Sequence, residues 1–181
     1  AFMVRQVLAA TLGASYGLYG PAYELCDRAP FAPGREEYRD SEKYELKSWP
    51  LDRKDSLKDL IKRVNSIRRE NPALQSDGSL RFYPANNDQL ICYSKQQGEN
   101  LVLVVVNLDP EHKQAGLVEL PLDELGLAPD TPYQMHDLLT DRRFLWRGPS
   151  NYVELDPHEL PAHILRLRRY VRTERDIDYF L

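Results

Sequence analysis

Near residue 79 the spacing of apolar residues changes from every third or fourth position to every second, and this break decides most of what the chain can build. Ahead of it, Leu57, Leu60, Ile61, Val64 and Ile67 form one helical stripe. Beyond it, strands are expected at 80–84, 89–95, 101–108, 117–120, 133–138, 143–146, 152–155 and 162–168. Asn86-Asn87-Asp88, Gln97-Gly98-Glu99, Pro129-Asp130 and Gly148-Pro149 mark turns between them. Leu101 to Val106 is apolar on both faces, which predicts a strand in the middle of a sheet with both faces covered. Short strands at such intervals predict an antiparallel β-sandwich over 79–181.

The first 78 residues follow a different plan. Phe2, Met3, Val7, Leu8 and Leu12 predict a mostly buried helix over 1–12, stopped by Gly13. Ala14 to Tyr19 suits a brief buried strand closed by Gly20-Pro21. An irregular, tyrosine-rich segment runs to about Pro50, and a loop of that length inside a domain is usually functional. The next helix is expected over 56–70, with Ser56-x-x-Asp59 as a capping box and Asn71-Pro72 as its end. One strand and two helices leave the strand unpaired on both sides. This part is therefore expected to be the last βα unit of a barrel, and the chain, opening inside a helix, the C-terminal piece of something larger.

Composition removes several functions. No apolar run approaches the roughly 18 residues of a membrane span, and mean hydropathy is −0.57. Twenty-four Lys and Arg against 28 Asp and Glu give a net charge of −4, which opposes a role in neutralising nucleic-acid phosphates. The basic half of the 56–70 helix, Lys62, Arg63, Arg68 and Arg69, is expected to be a solvated face. Cys26 and Cys92 form no C-x-x-C pair, so neither a disulfide framework nor a zinc cluster is expected, and a reducing compartment is the default. The N-terminus has no basic leader or cleavage pattern of a signal peptide.

No self-contained catalytic motif is present: H-E-x-x-H, G-x-S-x-G, the Walker loop and G-x-G-x-x-G are all missing. His112, His136, His158 and His163 lack ligand spacing and are expected as surface or strand residues. The segment from Tyr23-Glu24-Leu25 to Glu36-Glu37-Tyr38-Arg39-Asp40-Ser41-Glu42-Lys43-Tyr44-Glu45-Leu46 interleaves aromatic rings with carboxylates and a lysine. Polyhydroxylated ligands need that mixture, because sugar C–H faces stack on rings while hydroxyls pair with charged groups. Composition alone leaves it open whether this is a sugar site or a solvated loop pinned by its tyrosines.

Gly17-Leu18-Tyr19-Gly20-Pro21-Ala22-Tyr23-Glu24-Leu25, followed by Gly34-Arg35-Glu36-Glu37-Tyr38-Arg39-Asp40-Ser41-Glu42-Lys43-Tyr44, resembles the eighth-strand region of bacterial maltosyltransferases. These belong to the α-amylase superfamily, glycoside hydrolase family 13, and extend α-1,4-glucans from maltose 1-phosphate. The resemblance departs at Cys26-Asp27, where an aromatic residue and Glu are expected. It implies residues 1–78 as the end of a (β/α)8 catalytic barrel and residues 79–181 as a C-terminal β-sandwich. It implies a retaining mechanism by an Asp nucleophile and a Glu acid/base placed before the eighth strand, so no Asp or Glu of this chain is expected to be catalytic.

Lys43 and Tyr44 resemble the family's donor-sugar contacts and are the expected substrate-binding residues; Tyr23 and Glu24 are expected to support the loop. The resemblance further implies α-1,4-glucan and maltose 1-phosphate as partners, together with the rest of the barrel, a cytoplasmic homodimer, and no metal or organic cofactor. Two other classes remain open on the sequence: another amylase-type hydrolase or transglycosylase, and a non-catalytic carbohydrate-binding module.

Overall fold

The computed structural model describes residues 1–35, 37–39 and 46–168. Its elements in chain order are α1 (Phe2–Leu12), α2 (Gly20–Glu24), α3 (Lys58–Glu70), a 3-10 turn (Pro72–Gln75), β1 (Arg81–Tyr83), β2 (Leu90–Gln97), β3 (Asn100–Asn107) and β4 (Gln114–Glu119). Then follow α4 (Leu122–Leu125), β5 (Tyr133–Asp137), β6 (Arg143–Trp146), β7 (Ser150–Leu155) and β8 (Ala162–Arg168). Each of the expected strands beyond residue 79 is present, displaced by no more than a few residues.

Six strands form one sheet in the order β1-β2-β3-β8-β5-β6, and β4 pairs with β7 in a second, smaller sheet. All pairings are antiparallel, so the strands after residue 79 do build an antiparallel β domain. β3 lies between β2 and β8, and Leu101 to Val106 are all buried. Its side chains alternate between two apolar clusters. Leu101, Leu103 and Val105 meet Val118, Val153 and Leu155 of the small sheet. Val102, Val104 and Val106 meet Val4, Val7 and Ala10 of α1 and Val64 and Ile67 of α3. The uninterrupted apolar run is thus explained: one face packs on strands, the other on helices. The second cluster also joins the first 78 residues directly to the sheet, with Tyr93, Ala162 and Ile164 beneath the helices.

Three local expectations differ from the structure. Among the described residues, no strand forms over 14–19; the chain bends at 13–15 and stays irregular to Tyr19. A strand needs a neighbour for its backbone groups, and the ladders lie entirely within 81–168. Residues 1–78, expected as the last βα unit of a barrel, contribute helices and a loop here, with no strand ladder among their described residues. Second, the Ser56 capping box does not form. Leu57 occupies the N-cap of α3 with no side-chain cap, and its backbone N–H donates to the Glu24 carbonyl at 2.8 Å. Third, α2 lies inside the segment expected to be irregular, with Pro21 in its first turn, where the missing N–H costs nothing.

Arg68 is not a solvated basic residue either. Its guanidinium donates to the carbonyls of Ala10, Gly13 (3.1 Å), Ala14 (2.6 Å) and Leu74 (3.3 Å). These include orphan carbonyls at the end of α1, so a side chain from α3 caps that helix. The guanidinium carbon also lies 5.1 Å from the Tyr16 ring centre. Lys95 is similarly internal: 1% exposed on β2, it donates to Leu12 O at 2.9 Å and Asp77 at 3.0 Å. No helix among the described residues is long and apolar enough to cross a membrane.

Candidate functional site

The tyrosine-rich loop is built on α1 and the start of α3. Tyr23 sets its inner edge, donating from its hydroxyl to Phe2 O at 2.8 Å with its ring edge-on to Phe2 at 5.3 Å. Burial pushes the Tyr23 phenol up to about 12, so it acts as a neutral anchor. α2 ends in a tight reversal: Leu25 donates to Pro21 O, Cys26 to Tyr23 O and Asp27 to Ala22 O, with Cys26 at φ 55°. Glu24, through its carbonyl, holds Leu57. Tyr23 and Glu24 therefore support the loop through a hydroxyl and a backbone carbonyl.

Beyond α2 the chain doubles back. Phe31 N–H donates to Glu37 O at 2.7 Å and Arg39 N–H to Ala29 O at 2.9 Å, with Gly34 at φ 76° near the bend. Tyr38 returns to stack on Tyr19, with ring centres 5.3 Å apart and planes 13° apart. Lys47 Nζ donates to Arg39 O at 3.0 Å and sits 5.1 Å from the Trp49 ring centre. Phe31 is 63% exposed and Tyr19 48% exposed, so the loop offers aromatic surface to solvent. Lys43 and Tyr44, the expected substrate contacts, lie outside the described residues, and so do Glu36, Asp40, Ser41, Glu42 and Glu45.

At the base of the loop a cleft of about 630 Å³ is bounded by Phe2, Leu25, Cys26, Trp49, Pro50 and Arg53. Arg53 is clamped to Asp55 along one guanidinium edge, its Nε and Nη2 each donating to one carboxylate oxygen. Burial raises the Cys26 thiol, and burial pushes that of Cys92 up to about 12. Neither sulfur is activated as a nucleophile. Among the described residues no three His, Cys, Asp or Glu side chains gather as a metal site. The loop offers ring stacking and hydrogen bonding, with no proton-transfer dyad in its described part.

The histidines divide. His112 Nδ1 contacts Asp109 at 3.0 Å on the surface and His158 Nε2 contacts Glu111 O at 3.0 Å. His136 and His163 lie in adjacent strands and each meets an aspartate: His136 Nε2 to Asp141 at 2.5 Å, His163 Nδ1 to Asp137 at 3.1 Å. Asp137 is fully buried and also accepts from Thr140 Oγ1 and the N–H groups of Leu139 and Ile164. Burial raises its carboxyl, but these four donors outweigh it and hold the group below the usual range. The sequence signal was Asp137-x-x-Thr140 at a strand end, the mark of a side chain folding back on a turn.

Residues 82–167 match the protein family described as "GLGE, C-terminal". The whole chain is 47% identical over 182 aligned residues to the α-1,4-glucan:maltose-1-phosphate maltosyltransferase of Myxococcus xanthus, covering 99% of this chain and 27% of that protein. The chain is thus similar to these maltosyltransferases over nearly its whole length, and within it residues 82–167 match the C-terminal family model. A second relative of the same name, from Chlorobaculum tepidum, is 47% identical over 174 residues, 92% of this chain and 26% of that protein. The chain thus spans about a quarter of the length of these relatives. In fold it is similar to the maltogenic α-amylase AmyB of Thermotoga neapolitana (TM-score 0.64, 13% identity, 93% of this chain and 36% of that one). The acarbose-complexed α-amylase of Geobacillus thermoleovorans is a further neighbour (TM-score 0.62, 18% identity, 94% and 34%). At these identities the likeness concerns fold alone: an α-amylase-like chain ending in a β domain.

Proposed function

We propose that this chain is the C-terminal part of an enzyme that moves maltosyl units from maltose 1-phosphate to the non-reducing end of α-1,4-glucans. The observation that carries the proposal is the 47% identity across 99% of the chain to a protein bearing that name. In this proposal residues 1–78 close a (β/α)8 barrel and residues 79–181 form the β domain beside it. The strand missing over 14–19 would form its ladder against other barrel strands. The catalytic carboxylates are contributed by residues outside this chain. One attacks the donor sugar as the bond to phosphate breaks; the other protonates the leaving group, then takes the proton of the acceptor 4-hydroxyl.

The loop from Tyr19 to Trp49 is a wall of the sugar site. Lys43 donates hydrogen bonds to donor-sugar hydroxyls, and Tyr44 stacks on the ring or donates from its phenol. The enzyme acts in the cytoplasm as a homodimer. The test is the reverse reaction of the full-length protein on glucan and inorganic phosphate. Release of maltose 1-phosphate is expected; release of free maltose without the phosphate ester points to a hydrolase and ends the proposal. For the loop, Lys43→Ala is expected to lower kcat/KM for maltose 1-phosphate about tenfold or more with normal expression, the scale of one lost hydrogen bond to a charged group. An unchanged kcat/KM removes Lys43 from the site.

A further inference from the structure

The tyrosine-rich loop has two limbs, and they are held in different ways. The entry limb folds back on its own approach: Phe31 N–H donates to Glu37 O at 2.7 Å, Arg39 N–H donates to Ala29 O at 2.9 Å, and the Tyr38 ring stacks on Tyr19. The exit limb, 46–48, has no backbone hydrogen bond to any described residue and belongs to no strand or helix. Leu46 is fully exposed. Among the described residues one side chain joins the limbs. Lys47 Nζ donates to Arg39 O at 3.0 Å and lies 5.1 Å from the Trp49 ring centre.

The stretch between the limbs, 40–46, could span roughly 25 Å if fully extended. Lys47 instead keeps its far end within one side chain's reach of Arg39. Arg39 is itself anchored through its N–H to Ala29, so the ammonium ties the exit limb to the part of the loop that is already hydrogen-bonded. The indole face of Trp49 attracts the same ammonium. Trp49 in turn borders the cleft at the base of the loop, with Phe2 and Leu25. Tying a loop at both ends removes conformations that its residues would otherwise sample. In sequence, that stretch carries Lys43 and Tyr44, the proposed donor-sugar contacts.

We propose that Lys47 is a positioning residue for the donor sugar: it acts through the loop rather than on the sugar, holding the two limbs at the spacing from which Lys43 and Tyr44 reach the maltosyl unit. The inference rests on the sugar-site reading given above. The apparent affinity of a site scales with the fraction of the protein in which it is assembled. Hydrogen bonds to donor hydroxyls away from the breaking bond are made alike in the ground state and the transition state, so weakening them raises KM and leaves kcat. An ammonium-to-carbonyl hydrogen bond and a cation–π contact, both near the surface, together amount to about tenfold in that fraction. Arginine can replace the lysine here, because a guanidinium both donates to a carbonyl and stacks on an indole.

The test compares Lys47→Met and Lys47→Arg with wild type in the full-length protein. Methionine keeps most of the stem and removes the ammonium, and the contact lies at the surface, so both variants are expected to fold as wild type does. Without ligand, amide hydrogen exchange over 40–46 is expected to quicken about tenfold in Lys47→Met and to keep the wild-type rate in Lys47→Arg. KM for maltose 1-phosphate is expected to rise about tenfold in Lys47→Met at unchanged kcat, and Lys47→Arg to restore it. Unchanged exchange in Lys47→Met overturns the tie. Faster exchange with an unchanged KM overturns the positioning role. A fall in kcat at unchanged KM, or a KM that stays high in Lys47→Arg while exchange is restored, puts Lys47 on the substrate itself and overturns that role too. If the full-length protein releases no maltose 1-phosphate from glucan and phosphate, yet exchange over 40–46 quickens in Lys47→Met, the proposed reaction is refuted and the tie between the limbs is upheld.

Discussion

Replacing Arg68 with alanine removes the side chain that ties the end of α1, the bend at 13–15 and the 3-10 turn after α3 to one another. Its two terminal nitrogens donate to four backbone carbonyls, on Ala10, Gly13, Ala14 and Leu74. A hydrogen bond to a charged group contributes about 1.5–3 kcal/mol. The four are not independent, and carbonyls released from the guanidinium regain some water. Counting one full bond per nitrogen, near the low end of that range, gives a loss of about 3–4 kcal/mol. Arg68→Lys keeps the charge but has no fork to span carbonyls from three segments, so about half the loss is expected to remain. Arg69, one residue on, contacts only Ser66 Oγ at 3.3 Å among the described residues, and Arg69→Ala is expected to cost under about 0.5 kcal/mol. Urea unfolding of the three variants beside wild type measures these differences. If Arg68→Ala and Arg69→Ala fall equally, the capping argument is wrong and the guanidinium is an ordinary surface group. If Arg68→Lys matches wild type, charge alone was sufficient and the fork is irrelevant.

Gly116→Ala on β4 is expected to destabilise by about 1–3 kcal/mol in the same assay, because a Cβ there would lie 2.7 Å from Asn86 Oδ1, which already accepts from Leu117 N–H, and 3.1 Å from Leu90 Cδ1. An effect below about 0.5 kcal/mol would mean that the Asn86 turn moves aside freely. Asp137→Ala strands the donors of Thr140, His163, Leu139 and Ile164, and a loss of about 3 kcal/mol or more is expected by chemical denaturation; a silent variant would deny that the buried carboxylate organises the β5–β8 junction. Asp109 accepts from the N–H groups of Glu111 and His112 and from the His112 and Gln114 side chains; led by the Glu111 contact, these hold its carboxyl at about 2. A depressed carboxylate contributes stability above its unfolded pKa of about 4, lost as pH falls through about 2. The advantage of wild type over Asp109→Asn is therefore expected to be constant from pH 7 to 5 and to vanish between about pH 4 and 2 in acid-titrated melts. An advantage that persists at pH 2 contradicts the assigned shift.

What the sequence disclosed depended on whether a residue's partner was near in sequence or implied by a repeat. The period of two beyond residue 79 needed no partner to be known, since alternation is a property of each strand, and all eight strands lie where it put them. Leu101 to Val106 announced a covered strand, but not that helices cover one face and a two-stranded sheet the other; two equally apolar faces carry no label for what they meet. The expectation for 14–19 failed for the opposite reason: a strand is a relation between chains of hydrogen bonds, and among the described residues those carbonyls and rings find side chains of α3 instead, Arg68 for Ala14 and Asn65 for the Tyr16 hydroxyl. The basic half of α3 shows the same limit. Arg63, Arg68 and Arg69 look alike in sequence, yet Arg63 reaches Leu138 O at 2.6 Å and Arg68 caps α1, while Arg69 stays at the surface. Charge is a local property, but whether a charge is solvated depends on carbonyls up to 75 residues away. The aromatic–acidic loop needed no such distant partner to be read, because it is contiguous in the chain.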